Sequence, residues 1–322
     1  MDCILFLARV ALLAGVAAGP PAVDLAALES PVLLRGDART AYRDPAVVYH
    51  EGVFHMFYTL VRDEGDGGVW MYAAVSKSKD LKGWTPPRIL TPRDRSLNFS
   101  SPGNIVRHDG QWVLCLQTYP RPAGEKYGNA SARIFTMRSG DLETWSKPDI
   151  LMVKGPSVPV EKMGRMIDAY LLADKDHPGK WWCFYKQNGC SISWSNDLKT
   201  WAYFGRVNAG ENACVIVDKG EYVLFHSPAN GIGVKRSNDL KTWRDVALIT
   251  LDQKDWPWAR GRLTAGFVLD LRSDKRVGKA LMFFHASGPE DERTMFDSHA
   301  SLGIAWSDDL VDWSWPGKKV RK

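Results

Sequence analysis

The chain has 322 residues, of which 45% are hydrophobic and fourteen are tryptophan; this excludes a disordered protein and suits one large β-rich body. Its net charge of +5 comes from Lys and Arg scattered among acids, without the basic stripe that nucleic-acid binding requires. The cysteines show no CxxC spacing, so no zinc site is expected.

Residues 4–18 form an apolar run broken by Arg9 and followed by Gly19-Pro20-Pro21. The run is too short for a transmembrane helix and reads as a signal peptide over residues 1–19. That implies a secreted or periplasmic protein with no membrane contact after cleavage. Residues 20–40 read as a Pro- and Ala-rich approach segment, with Pro31-Val32-Leu33-Leu34 either an extra strand or a lead into the next unit. Residues 41–322 read as a single domain.

That domain is organised by a repeat. An Asp-Leu pair stands four residues before a tryptophan five times, at Trp84, Trp145, Trp201, Trp243 and Trp313, each with a serine upstream. Ser195-Asn196-Asp197-Leu198-Lys199-Thr200-Trp201 is the clearest copy, and in blade one the serine is read as Ser76. A period of this length is too long for ankyrin or leucine-rich units and suits a four-stranded propeller blade. Asp-Leu reads as a tight turn in which the carboxylate accepts backbone N–H groups. The fold expected is all-β: a five-bladed β-propeller of four-stranded antiparallel blades.

Three strands per blade are legible as hydrophobic runs separated by Gly turns. Blade one is expected over residues 45–49, 54–59 and 70–76, and blade two over 104–107, 112–118 and 132–138. Blade three covers 168–173, 181–186 and 191–195; blade four covers 212–217, 222–226 and 231–236. Blade five covers 264–271, 280–285 and 302–307. Cys183 and Cys190 flank a hairpin and either pair across it or remain buried thiols. Asn98-Phe99-Ser100 and Asn129-Ala130-Ser131 are glycosylation sequons.

The innermost strands of a propeller start at one mouth of a central channel. Their first residues read as Asp44, Asn104, Asp168, Glu211 and Thr264. Three carboxylates therefore converge from three blades, each beside an apolar run, where an unpaired charge is expensive unless it is used. A single such Asp or Glu is as readily a turn residue bonding local backbone; three at equivalent places favour function.

Tyr42-Arg43-Asp44-Pro45-Ala46-Val47, Ile167-Asp168-Ala169 and Gly210-Glu211-Asn212-Ala213 resemble the blade-one, blade-three and blade-four motifs of the five-bladed glycosidases of glycoside hydrolase family 43 and its relatives. The resemblance spans about residues 40–315 and implies Asp44 as general base, Asp168 as the residue that tunes and orients the acid, and Glu211 as general acid. Glu211 is expected to have its pKa raised by burial and by Asp168. The resemblance departs where no Pro follows Glu211 closely, and where blade five offers Arg262-Leu263-Thr264 instead of a histidine. It implies a carbohydrate substrate, a plant or algal oligosaccharide or polysaccharide side chain, cleaved with inversion.

Candidate substrate-binding residues are Arg43, beside the base; Asn104, at the blade-two strand start; and Arg165 and Arg262, near inner-strand starts. His226 and His285 end equivalent second strands, and Trp258 lies in a crossover loop as a stacking platform. No cofactor or metal is expected, with a structural cation in the central channel left open, as is the oligomeric state. A sialidase is disfavoured because Leu stands where its Asp-box has Gly. The same residues also suit a carbohydrate-binding propeller without catalysis, or a related glycoside phosphorylase.

Overall fold

A computed structural model describes residues 23–318 of the chain. Five antiparallel sheets stand in a ring, and the innermost strands of successive blades touch one another around its centre. Blade one runs Thr40–His50, Val53–Asp63, Val69–Ser78 and Arg88–Ile89 from inside to outside. In blade two the inner strand is split into Phe99–Ser100 and Ile105–His108, both paired with Gln111–Thr118; Ile134–Ser139 and Asp149–Ile150 follow. Blade three is Ile167–Ala173, Trp181–Lys186, Cys190–Ser195 and Trp201–Val207, and blade four is Glu211–Asp218, Glu221–Ser227, Ile232–Ser237 and Arg244–Ile249. Blade five has Arg262–Asp270, Ala280–Ser287 and Ser301–Ser307.

The outer edge of blade five is filled twice. Trp313–Ser314 pairs with Trp306 and Ser307, and Val32–Leu34 pairs with Gly303 and Leu302 farther along the same strand. The expected extra strand at 31–34 thus belongs to the last blade, not to an approach to the first, and it ties the start of the chain to its end. The expected signal peptide at 1–19 lies outside the described residues. Among the described residues no helix is long and apolar enough to cross a membrane.

The repeated turn has one construction in all blades. The serine two residues before the Asp donates its hydroxyl to the Asp carboxylate, at 2.9–3.2 Å from Ser78, Ser139, Ser195, Ser237 and Ser307. Each Asp then accepts two backbone N–H groups beyond the turn, as Asp197 does from Lys199 and Thr200. In blade one the serine is Ser78; Ser76 instead bonds the Tyr58 hydroxyl. The following Leu has a positive φ, between 55° and 67° in the five copies, a region that favours glycine. Leucine persists there because its side chain is buried in every copy. That burial outweighs a backbone cost of about 1–2 kcal/mol.

Cys115, Cys183, Cys190 and Cys214 are buried free thiols. The hairpin register pairs Cys183 with Ser193 and Cys190 with Lys186, so the two cysteines are not cross-strand partners. Burial pushes the Cys115 and Cys190 thiols up to about 12. Asn98 is fully buried and accepts the Met71 N–H, which removes the first sequon as an exposed acceptor.

Candidate active site

Each inner strand is bulged at the mouth. The pairing slips between Arg43 and Ala46, Ile167 and Tyr170, Glu211 and Cys214, and Thr264 and Phe267. At the slip one residue takes a left-handed backbone: Asp44 (φ 50°), Asp168 (55°), Asn212 (52°) and Ala265 (51°), with Ser101 (43°) at the break in blade two. Asp and Asn tolerate this region better than most residues. The bulge turns its residue out of the strand's alternation and aims it at the centre. The five-fold set is therefore Asp44, Ser101, Asp168, Asn212 and Ala265. Glu211 is not the counterpart of Asp44 and Asp168 but stands one residue earlier, level with Arg43 and Thr264. Nor does Asn104 belong to the set: its amide donates to Leu171 O at 2.6 Å and accepts Leu171 N–H at 2.9 Å, stitching blade two to blade three.

The structure nevertheless gathers all three carboxylates at one pocket of about 520 Å³ at the mouth. Asp44, Asp168 and Asn212 also line a smaller space beneath it in the channel. Asp44 accepts the Thr59 hydroxyl at 2.9 Å and the Asn212 side-chain amide at 3.4 Å. Asp168 accepts the Ser101 hydroxyl at 2.8 Å and the Asn212 N–H at 3.3 Å, while its own N–H donates to Gln117. Asn212 thus bridges the two aspartates. Burial, followed by the charges of Glu211 and Asp44, pushes the Asp168 carboxyl up to about 7. Asp168 is the buried member of the trio, whereas the Glu211 side chain is 34% exposed.

Glu292, from the segment at 288–300 between the second and third strands of blade five, anchors the other side of the pocket. It is 5% exposed and pairs with Arg43 and Arg262, and it accepts from His285 Nε2 at 3.2 Å. Burial opposes its charge, but Arg43, His285 and Arg262 outweigh that and hold its carboxyl far below the usual range. His285 Nδ1 accepts the Asp44 N–H at 3.1 Å, which fixes the tautomer with the proton on Nε2 facing Glu292. Arg262 spans the pocket floor by donating also to Glu211 at 2.9 Å. Arg43 packs under the Phe296 ring, 4.5 Å from its centroid. One buried carboxylate therefore positions groups on both sides of the site, through His285 and Arg43 to Asp44 and through Arg262 to Glu211.

Arg43, Arg165, Arg262 and His285 line the pocket. His226 does not. It is buried and accepts the Gly210 N–H at 3.0 Å through Nδ1, supporting the residue before Glu211. Trp258 also lies away from the pocket, in a stack with Trp256 (5.3 Å, 8°) and Phe284. Sequence reasoning does not single out Glu292, Asn212, Thr59, Ser101 or Gln117. The one legible signal is the length of the segment at 288–300, against residues 187–189 at the same place in blade three. Among the described residues no three His, Cys, Asp or Glu side chains are gathered so as to hold a metal ion.

This ring of five antiparallel sheets is the five-bladed β-propeller fold found in glycoside hydrolases of families 43 and 117. No protein-family model matches the chain, and no curated protein does. Solved structures do match. An exo-1,5-α-L-arabinanase from a bovine ruminal metagenomic library is 17% identical, with 84% of this chain and 94% of that one covered and a TM-score of 0.58. A family 117 glycoside hydrolase of the marine bacterium Zobellia galactanivorans is 14% identical over 88% and 91% of the two chains, with a TM-score of 0.62. A thermostable family-43 glycoside hydrolase is 14% identical over 89% and 96%, with a TM-score of 0.57.

Proposed function

We propose that this chain is an exported glycoside hydrolase that takes a sugar of a plant or algal oligosaccharide or polysaccharide side chain into the mouth pocket and cleaves its bond with inversion. The observation that carries the reading is the convergence of Asp44, Asp168 and Glu211, from three separate blades, on one pocket. Glycoside cleavage needs a carboxyl group that protonates the leaving oxygen and a second that activates water on the opposite face of the ring. Asp44 is the base, oriented by Thr59 and Asn212. Glu211 is the acid, with its outer face open to the pocket. Asp168 tunes the pair, because its proton is held to about pH 7 and its charge acts on both neighbours. Arg43, Arg165 and Arg262 are the substrate-binding cations, with His285 behind Asp44.

A second reading, a propeller that binds carbohydrate without turnover, is favoured by one contact. Arg262 donates to Glu211 at 2.9 Å, and the leaving oxygen has to take that place before Glu211 can deliver a proton. The test is hydrolysis of aryl glycosides and plant and algal oligosaccharides, with and without inorganic phosphate, by wild type, Glu211→Gln and Asp44→Asn. Each substitution is expected to lower kcat by about 10²–10⁴, and the first product to carry the inverted anomeric configuration by NMR. Undiminished turnover in Glu211→Gln removes it as the acid. Sugar binding with no turnover in wild type establishes the second reading, and turnover only with phosphate makes the enzyme a phosphorylase.

A further inference from the structure

Beside the mouth pocket, on the same face of the propeller, blade three carries a groove of about 790 Å³ lined by Lys154, Gln187, Asn188, Tyr203 and Arg206 among others. It lies on that face because Gln187 and Asn188 form the turn after the second strand, and Arg206 nearly ends the fourth. The wall between groove and pocket is the segment before the blade-three inner strand. The Gln187 amide donates to Met163 O at 3.0 Å and to Arg165 O at 2.9 Å, while the Arg165 side chain lines the pocket on the far side.

Among the described residues, the cations beside this groove lack the carboxylate partners that Arg43 and Arg262 have at the mouth, as do Arg62, Arg107, Arg133 and Arg138 elsewhere. Arg43, Arg93, Arg121, Arg236, Arg262 and Arg272 all pair with carboxylates. Among the described residues, Lys154, Arg165, Lys186 and Arg206 have no carboxylate oxygen within the 4.0 Å of an ion pair. Lys154 is half-buried and spends one proton on Met163 O at 2.7 Å, leaving two donors without an anion. Of the acids on the adjoining segment, Glu161 faces Arg133. Tyr203 is 54% exposed and offers a flat face of the size of a sugar ring. A half-buried cation without a counter-charge is costly, and an anionic ligand offsets that cost.

We propose that this groove is an accessory subsite for an anionic sugar unit, carboxylated or sulfated, of a polysaccharide whose neighbouring residue occupies the mouth pocket, with Lys154 and Arg206 holding the anion and Tyr203 supporting the ring. The proposal rests on the pocket being a sugar site. Arg165, on the other face of the wall, extends the same preference toward the reacting sugar.

Affinity electrophoresis of the Glu211→Gln protein tests it, since binding is then read without turnover and stands or falls apart from catalysis. Gels contain polygalacturonate, a sulfated galactan or a neutral arabinan. Retardation by one or both acidic polymers and not by the arabinan is expected, weakening as salt is raised; whichever polymer retards names the carboxylate or the sulfate. Adding Arg206→Glu to Glu211→Gln is expected to weaken that retardation at least about tenfold, as loss of a charge-assisted contact does. Adding Lys219→Glu, on the opposite face, leaves it in place. Equal retardation by arabinan, no retardation by any polymer, an unchanged gel for Arg206→Glu, or equal loss for Lys219→Glu each overturns the proposal. Matching thermal melts exclude misfolding as the cause of a loss.

Discussion

Asp168 concentrates the electrostatic tension of the site in one side chain. It is buried, lies near two other carboxylates, and is satisfied by only two short-range donors, Ser101 and Asn212. Its folded pKa of about 7 lies above the usual value of 3.8. Below about pH 4 both folded and unfolded chains hold the proton and nothing is lost. Between about pH 4 and 7 only the folded chain holds it, so folding stability falls as pH rises, and the cost is complete above about 7. Asp168→Asn removes this titration. Its melting temperature relative to wild type is expected to climb from pH 4 to 7 and then level off, with an upper bound of about 4 kcal/mol on the gain. A difference that stays flat across that range would refute the assignment.

At the scale of the element, the bulge rather than the strand makes the site. Four inner strands slip their register at the same level, and the residue at the slip looks into the channel. The slip at blade four is held by a close backbone approach: a Cβ on Gly210 would stand 1.7 Å from Ser227 O, and His226 accepts the Gly210 N–H. Gly210→Ala is therefore expected to push the Glu211 strand start away from the second strand. Hydrolysis should collapse and the urea midpoint should fall. Gly220→Ala, in the open turn at the far end of the same strand (φ 81°), has nothing near its Cβ and should cost only about 1 kcal/mol with activity kept. Equal effects of the two would mean that the approach at Gly210 does not hold Glu211.

At the scale of the whole molecule, the ring is closed by the start of the chain. Val32–Leu34 completes blade five, Val23 N–H bonds Arg276 O, and Leu25 and Leu28 are buried in the main core. On the mouth side the blade-five segment at 288–300 crosses to blade two, where Asp297 receives Arg121 in a two-pronged pair at 2.7 and 2.8 Å. Deleting the chain through Leu34 uncovers part of the edge of the strand Ser301–Ser307 and empties two leucine sites. The loss expected is on the order of 5 kcal/mol, with aggregation through the bared edge. It is read from urea unfolding; an unchanged midpoint would show that the closure contributes nothing.

The blades are legible in the sequence because each rests on local chemistry. Ser, Asp, Leu and Trp at fixed offsets build a turn whose hydrogen bonds span three residues, and the flanking strands are short apolar runs. The cluster of Asp44, Asp168 and Glu211 is legible for the same reason, since each stands at the start of such a run. Tertiary structure alone decided the rest. A one-residue bulge is invisible to hydrophobic periodicity, so Glu211 passes for the counterpart of Asp44 when that counterpart is Asn212. The fifth blade borrows Val32–Leu34 from the far end of the chain, a pairing that depends on ring closure. Glu292 acquires its role because a long turn carries a carboxylate back across the mouth to two arginines and His285. No local pattern encodes that meeting, because Arg43 comes from blade one while Arg262 and His285 stand on two different strands of blade five.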